Sequence, residues 1–331
     1  MADTMKINVH VENENWLFGD LKRHFAATRV PGIEVKTSHK PLPEADAWVA
    51  IRTHEAAASP DPARTVACIH DLYHHDGMYT PEGLRGVVHR TGGLVLCHPR
   101  QRAILEEAGV DLKKTAILER PLGATAAFVP RTQLPPVFTI GWVGRNHWRK
   151  RLDWLEPIAH RLQLEGLNFR IMLVGLELEA MAAGLTAMGV DTVCFPRESF
   201  PASCYPDLYQ QMDCLLITSA TEAGPLTLFE ALATGLGVVS TKVGWAPAMA
   251  SRSHQAIRLA ETPQGLAQHL MAFAKQRETL LNMSRQTSAL MHGFRLESWF
   301  PQVLSLAAGL VRSADPAKIH HQGNNLCNTA P

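Results

Sequence analysis

Two glutamates, Glu222 and Glu230, frame the stretch of this sequence whose residue types best fit chemistry. Ala-Gly-Pro-Leu-Thr-Leu-Phe separates them and Ala-Leu follows Glu230, so the second carboxylate lies within a short apolar helix. Glu230 has no Lys or Arg within four residues on either side. A carboxylate among Leu, Phe and Ala is costly unless something hydrogen-bonds it. The pattern therefore favours carboxylates that accept hydrogen bonds from hydroxyl groups.

The start of the same helix predicts an anion site. Pro225 suits the first helical position, because it lacks an N–H and its φ is already helical. The N–H groups of Leu226 and Thr227 would then point out of the helix N-terminus, where an anion is favoured. An anion cradle beside two carboxylates predicts a site for a nucleotide diphosphate joined to a sugar.

A second candidate group follows the apolar run 138–144. Gly144 allows close backbone approach, Arg145 can hold phosphate oxygens with two parallel hydrogen bonds, and Lys150 adds a point charge. These cations would stabilise the negative charge that develops on a diphosphate leaving group. The alternative is a solvated basic start of a helix, but cations are unfavourable at a helix N-terminus, which favours an anionic ligand.

Composition bounds the protein class. The chain has 331 residues, 46% hydrophobic and 19% charged, which predicts globular cores and room for two domains. Its formal charge of +1 gives no general attraction to nucleic acid. The six cysteines include no CxxC pair, which is typical of a reducing cytosol. No apolar run resembles a signal peptide or a membrane helix, so we expect a cytoplasmic protein that would meet a lipid-linked substrate at the inner face of the membrane.

Strands and helices alternate along the chain, which predicts parallel α/β sheets. A polar, proline-containing break at 131–136 separates two such series, so we expect two doubly wound domains facing across a cleft, with ligands at the carboxyl ends of strands. The predicted strands are 6–11, 47–51, 66–70, 94–97, 115–118, 137–143, 169–174, 192–195, 213–217, 237–240 and one near 257. The predicted helices are 17–27, 100–108, 152–164, 177–188, 206–212, 226–234, 263–291 and 296–311.

Five motifs occur in this order: Gly144-Arg145…Lys150, Leu173-Val174-Gly175, Tyr209…Asp213, Glu222-x7-Glu230 and Ala233-Thr-Gly-Leu-Gly-Val-Val-Ser-Thr. With this series the chain resembles the retaining GT-B glycosyltransferases of family four, the glycosyl transferases group 1 type. Residues 137–245 match in order and spacing, residues 94–131 match more loosely, and residues 294–299 are similar to the start of the family's last helix. The resemblance implies an N-terminal Rossmann-like acceptor domain (1–133), a C-terminal Rossmann-like nucleotide-sugar domain (134–293), a helix that returns to the N-domain (294–312) and a disordered tail (313–331).

The resemblance also implies residue roles. Glu222 would contact the hydroxyls of the donor sugar and Glu230 the ribose of the nucleotide. The segment Gly224, Pro225, Leu226 and Thr227 would offer backbone N–H groups to the sugar and the diphosphate. The phosphates would be held by Arg145 and Lys150, beside Gly144.

His70 ends an N-domain strand and is similar to the family's histidine that reaches across the cleft to the donor sugar. Without the resemblance, a histidine at a strand end is more often a structural hydrogen-bonding group. A metal site is a third interpretation, since His74, His75 and Asp76 follow, but this spacing fits no zinc motif. GT-B enzymes generally need no metal, so we expect neither a metal nor a cofactor.

The implied function is retaining transfer of a sugar from a nucleotide diphosphate sugar to the hydroxyl of a sugar, lipid-linked or small-molecule acceptor, in bacterial cell-surface polysaccharide or glycoconjugate synthesis. Two departures keep an alternative open, a weak or inactive GT-B scaffold that binds nucleotide sugar. The loop 12–19 is polar rather than glycine-rich, and 244–248 lacks the family's usual acidic residue. A GT-B sugar isomerase or phosphorylase is a further alternative, but no lysine-anchored cofactor motif supports a phosphorylase.

Overall fold

The computed structural model describes residues 4–12, 17–70, 85–86, 88–200 and 202–313. It divides into two compact units. Unit 1 comprises Met1–Leu122 and Leu296–Pro331, and unit 2 comprises Gly123–Arg295. The sequence places the domain limits after residues 133 and 293, whereas these contact units divide after residues 122 and 295.

Unit 1 is built on a parallel sheet whose six described strands lie in the order β2-β1-β3-β4-β5-β6. The C-terminal helix, Leu296–Arg312, packs on this sheet and buries Trp299 completely. The described part of unit 1 also contains β1 Met5–His10, α1 Leu17–Ala27, β2 Ile33–Ser38, β3 Ala47–Ala50, a short 3-10 helical turn Thr53–Ala58, β4 Thr65–Ile69, β5 Gly93–Leu96, α2 Gln101–Glu107 and β6 Ala116–Glu119.

The strand β2 is absent from the sequence prediction, and its position in the sheet explains why. It is an edge strand that pairs only with β1 among the described strands. Glu34 and Lys36 alternate with apolar residues along it and are exposed. Charged side chains are usual on an edge strand. In β2 they interrupt the continuous apolar run from which the buried strands can be predicted.

Unit 2 holds the second parallel sheet, in the order β12-β11-β10-β7-β8-β9. The predicted fold class, α/β with two doubly wound sheets, is confirmed. Its strands are β7 Phe138–Arg145, β8 Phe169–Leu176, β9 Asp191–Pro196, β10 Cys214–Ile217, β11 Gly237–Ser240 and β12 Ile257–Leu259. Its helices are α3 Leu155–Leu164, α4 Glu179–Ala187, α5 Tyr205–Gln210, α6 Leu226–Ala233, α7 Ala246–Arg252, α8 Pro263–Lys275, α9 Arg277–Asn282 and α10 Ser284–Ala289.

The order of strands in unit 2 creates a switch point at β7. From β7 the chain proceeds to β8 on one side, and later returns to place β10 on the other side. At a switch point of this kind the connections after the two neighbouring strands go to opposite sides, which leaves a crevice outside the carboxyl ends of β7 and β10. Ligands of doubly wound sheets bind at this kind of crevice.

The single helix predicted over 263–291 is wrong, because the chain breaks it into α8, α9 and α10. Its start is confirmed: the Thr262 side chain accepts a hydrogen bond from the Gly265 N–H (3.1 Å), and Pro263 is the first helical residue. The first break lies at Gln276, whose φ of −120° and ψ of 21° are not helical. The helix α7 was not predicted at all.

A buried ion cluster holds the start of β10. Asp213 is fully buried, and its carboxylate accepts hydrogen bonds from Arg277 Nε and Nη2, both at 3.0 Å, and from the Thr139 N–H at 2.8 Å. The Nη1 atom of Arg131 lies 3.8 Å from the same carboxylate. Arg131 begins the segment that the sequence suggests is a linker, yet it is 2% exposed and packs into unit 2.

Within the described residues, none of the helices combines the length and the hydrophobicity needed to cross a membrane.

Candidate functional site

Hydrogen bonds join the loops that follow β7 and β10. The N–H of Ala220 donates to the carbonyl of Arg149 at 2.6 Å. The hydroxyl of Thr218 donates to the carbonyl of Lys150 at 2.6 Å and accepts from the indole N–H of Trp142 at 3.0 Å. The two loops therefore form one structure at the switch point of the second sheet.

Lys150 and Glu222, predicted from separate motifs, form an ion pair across these loops. Lys150 Nζ lies 2.6 Å from Glu222 Oε1, and the side chains are 25% and 17% exposed. The hydroxyl of Ser219 donates to the same oxygen at 2.8 Å. Ser219 is not among the site residues predicted from the sequence, although a polar residue just after a strand, three positions before a candidate glutamate, is a usable signal. Glu222 is thus held by two partners at the crevice.

Gly144 and Arg145 occupy the last two positions of β7. A Cβ at Gly144 would lie 3.8 Å from Lys150 Cε, so the lysine stem passes beside this glycine. The side chain of Arg145 is exposed and has no hydrogen-bond or ion-pair partner among the described residues. By contrast, Arg151 of the same basic segment stacks over the Trp154 ring, 4.5 Å from its centroid. Arg145 is therefore a cation available to a ligand.

The helix α6 begins at Leu226, where the predicted helix 226–234 begins, but the position predicted for Pro225 is wrong. Pro225 is its N-cap residue rather than its first helical residue, because its ψ of 110° is extended. The Pro225 carbonyl accepts from the Leu228 N–H at 3.0 Å, and half-buried Gly224 precedes it. The N–H groups of Leu226 and Thr227 have no partner among the described residues, as expected for a first helical turn. The N-terminus of α6 therefore stays open to an anion with Pro225 as its cap.

The segment 244–248, which lacks the family's acidic residue, braces the loop before α6. Gly244 has a φ of +51°, and a Cβ there would lie 2.8 Å from Pro225 Cδ and 2.9 Å from the Ala223 carbonyl. Such a φ and such contacts favour glycine. Trp245 is 3% exposed, and its ring centroid lies 5.8 Å from that of Phe294. The segment therefore shapes the loop that leads into the helix N-terminus.

Glu230 lies in the buried part of α6 and is 9% exposed. The hydroxyl of Tyr209 donates to Glu230 Oε2 at 2.7 Å, which supplies the hydrogen bond that a buried carboxylate requires. Burial raises the pKa of Glu230 to about 7, and the hydrogen bond from Tyr209 opposes this rise. Tyr209 belongs to the resemblance series, but the sequence assigned it no role.

Replacing Glu230 with glutamine is expected to stabilise the protein above neutral pH. A raised carboxyl pKa means that the folded state holds a proton that the unfolded state releases, so stability falls as pH rises from about 4.5 to about 7. The shift corresponds to about 3 kcal/mol. Thermal unfolding followed by circular dichroism should show Glu230→Gln gaining on the wild type between pH 5 and pH 8. If the difference in stability between the two proteins stayed constant across this pH range, the raised pKa of Glu230 would be contradicted.

His70 directly follows β4 in unit 1. Its Nδ1 atom lies 3.5 Å from Cys97 Sγ, and its ring centroid lies 5.8 Å from that of Phe18 and 6.4 Å from that of Trp299. These neighbours fix the imidazole within unit 1, and its role toward a donor sugar stays a prediction. The residues His74, His75 and Asp76 lie outside the described residues.

A different cluster in unit 1 brings together Glu12, His54 and Glu55, whose possible ligand atoms lie within 4.8 Å of one another. The carboxylate of Glu55 accepts backbone hydrogen bonds at both oxygens, from Glu12 (2.9 Å) and from Arg52 (3.2 Å). This cap on the short helical turn after β3 accounts for the buried carboxylate, so we assign no metal to it.

Comparisons with known proteins agree with this geometry. Residues 137–276 match the family model of Glycosyl transferases group 1. The comparison with curated proteins returned no match.

Solved structures resemble the chain along most of its length. Anabaena Alr3699/HepE in complex with UDP-glucose has a TM-score of 0.70 at 15% identity, covering 92% of this chain and 100% of that one. Sucrose-phosphate synthase from Thermosynechococcus elongatus gives 0.69 at 14%, covering 93% and 99%. WaaG, a glycosyltransferase involved in lipopolysaccharide biosynthesis, gives 0.64 at 15%, covering 90% and 99%. The chain therefore has the GT-B fold, and its residues 137–276 are similar to the group 1 glycosyltransferase family.

Proposed function

We propose that this protein is a retaining glycosyltransferase that moves a sugar from a nucleotide diphosphate sugar to the hydroxyl of an acceptor. The observation that carries the proposal is the Lys150–Glu222 ion pair (2.6 Å) at the switch point of the second sheet. The resemblance to a HepE structure that contains UDP-glucose supports this class of donor.

The donor diphosphate would bind between the cations that follow β7 and the N–H groups at the start of α6. Arg145 has no partner among the described residues, and the N–H groups of Leu226 and Thr227 open toward the N-terminus of α6. Lys150 now has Glu222 as its counter-ion. A bound diphosphate would compete for Lys150 and leave the Glu222 carboxylate to accept charge-assisted hydrogen bonds from sugar hydroxyls.

The same groups fit the chemistry of the transfer step. As the bond between the anomeric carbon and the diphosphate breaks, negative charge grows on the departing oxygen, beside Arg145 and Lys150. In front-face attack the acceptor hydroxyl bonds to that carbon on the same face, and the departing phosphate takes its proton. This route retains the anomeric configuration and needs no protein nucleophile, no metal and no cofactor.

The acceptor would be a sugar, a lipid-linked molecule or a small molecule, and the setting bacterial cell-surface polysaccharide or glycoconjugate synthesis. A lipid-linked acceptor would bring the protein to the cytoplasmic face of the membrane. The resemblance to WaaG supports this setting.

Glu222→Gln tests the proposal because the change should separate binding from turnover. Glutamine keeps an acceptor for the Ser219 hydroxyl but removes the counter-ion of Lys150. We expect UDP to bind the variant at least as tightly as the wild type, whereas donor turnover falls about 10²–10³-fold, by analogy with loss of a transition-state hydrogen bond. The readout is release of nucleoside diphosphate, with water as acceptor, from whichever of UDP-glucose, UDP-galactose and GDP-mannose gives the largest thermal shift.

The control is Glu165→Gln, which removes an exposed carboxylate paired with Arg161 at the end of α3. It should leave both binding and turnover unchanged. Wild-type turnover in Glu222→Gln would contradict the assigned role. A wild-type protein that binds nucleotide sugar and never consumes it would instead favour the scaffold alternative.

A further inference from the structure

Packing holds both partners of the hydrogen bond between Tyr209 and Glu230 in place. Tyr209 lies in α5, is completely buried and packs edge to face against Phe128, with ring centroids 5.3 Å apart at 88°. Glu230 lies in α6 between Phe229 and Ala231, which are both completely buried. The Tyr209 hydroxyl and Glu230 Oε2, 2.7 Å apart, therefore have little freedom to separate.

The two carboxyl oxygens of Glu230 are not equivalent. Oε2 accepts the hydrogen bond from Tyr209, whereas Oε1 has no hydrogen-bond partner among the described residues. The residue keeps 9% exposure, and a carboxylate oxygen can accept more than one hydrogen bond. Oε1 is therefore the oxygen left for a hydroxyl group of a ligand.

The protonation states of the two tyrosines near Glu230 determine which group donates this hydrogen bond. Burial raises the pKa of Tyr209 well above its ordinary value, and the nearby Glu230 raises it further. Burial likewise raises the pKa of Tyr205, which also lies near Glu230. Both phenols stay protonated at neutral pH, so Tyr209 donates and Oε2 accepts. A proton held by the Glu230 carboxyl, whose pKa is about 7, then belongs on Oε1 and must leave before Oε1 can accept.

We propose that Tyr209 is a positioning residue of the nucleotide site: it holds Glu230 Oε2, so that Oε1 accepts a hydrogen bond from a ribose hydroxyl. This inference rests on the proposed function and goes beyond it. Tyr209 acts through Glu230 and touches neither the sugar nor the reacting atoms. The arrangement makes the site prefer nucleotides that carry ribose hydroxyls over analogues that lack them.

The test compares UDP with 2′,3′-dideoxy-UDP, and GDP with its dideoxy analogue, by calorimetry at pH 8. We expect the wild type to bind the ribonucleotide at least about tenfold more tightly, the range for a hydrogen bond to a charged group. In Tyr209→Phe this preference should fall to about twofold or less, because an unpaired Oε2 in apolar surroundings favours the protonated carboxyl. Tyr205→Phe is the matched control from the same helix and should keep the full preference.

The outcomes separate the inference from the proposed function. A Tyr209→Phe variant that keeps the full preference, or that weakens both nucleotides equally, overturns the positioning role and leaves the proposed function standing. A wild type that binds neither UDP nor GDP overturns the proposed function itself.

A second measurement covers the case in which circular dichroism shows that Tyr209→Phe does not fold. The number of protons released on binding to the wild type at pH 7 follows from calorimetry in two buffers of different ionisation enthalpy. UDP should release more protons than its dideoxy analogue, because only the ribose hydroxyls require Glu230 Oε1 to lose its proton. Equal release would overturn the inference.

Discussion

Replacing Arg145 with methionine is expected to slow sugar transfer about 10²–10³-fold, the cost of removing one group that stabilises charge on a leaving oxygen. Arg145 ends β7 at the switch point, is exposed and has no partner among the described residues. Nothing in the described fold depends on its charge, so the free energy of unfolding should change by no more than about 0.5 kcal/mol. The measurement is donor turnover at saturating donor, with urea unfolding of both proteins.

The matched control is Arg161→Met. Arg161 lies in the last turn of α3 and forms an exposed ion pair with Glu165. Removing this positive charge from the same unit should leave turnover within about twofold, because Arg161 belongs to α3 and not to the loops that follow β7 and β10. If Arg145→Met and Arg161→Met gave equal turnover, the diphosphate would not be held at the end of β7.

Replacing Asp213 with asparagine is expected to lower the free energy of unfolding by about 3–5 kcal/mol, because it leaves buried cations without their counter-ion. Asp213 is completely buried and carries two hydrogen bonds from Arg277. The side chain of Arg131 is also fully buried, and its Nη1 atom lies 3.8 Å from the carboxylate. Urea denaturation followed by tryptophan fluorescence measures the loss.

Asp191→Asn provides the comparison, since Asp191 pairs with Arg170 at 2.9 Å but both side chains are exposed, at 45% and 38%. This change should cost less than about 1 kcal/mol. A cost for Asp213→Asn as small as that for Asp191→Asn would show that the buried cluster does not hold the start of β10.

The chemistry of the site could be predicted from residue types, whereas its pairings could not. Phosphate and hydroxyl groups need cations and carboxylates as partners, and this requirement alone indicates Arg145, Lys150 and Glu222. The ion pair between Lys150 and Glu222 depends on β10 lying beside β7. Alternation of strands and helices predicts a parallel sheet, but it does not say which strands become neighbours.

The roles of residues that act through a distant partner residue are the hardest to predict from the sequence. Tyr209 lies in a short helix, and nothing local shows that its hydroxyl reaches Glu230 on another helix. Arg131 lies in a polar, proline-containing segment that is typical of a linker, yet its side chain is buried beside Asp213. In both cases a distant partner outweighs the local pattern.

The central claim is that unit 2 binds a nucleotide through its diphosphate at the switch point, and calorimetric titration of the wild type tests it most directly. The titrants are UDP and GDP, each compared with its parent nucleoside. We expect one diphosphate to bind about 100-fold or more tightly than its nucleoside, since two or more charge-assisted hydrogen bonds separate them. Equal affinity for nucleoside and diphosphate, or no binding of either diphosphate at millimolar concentration, would contradict the account.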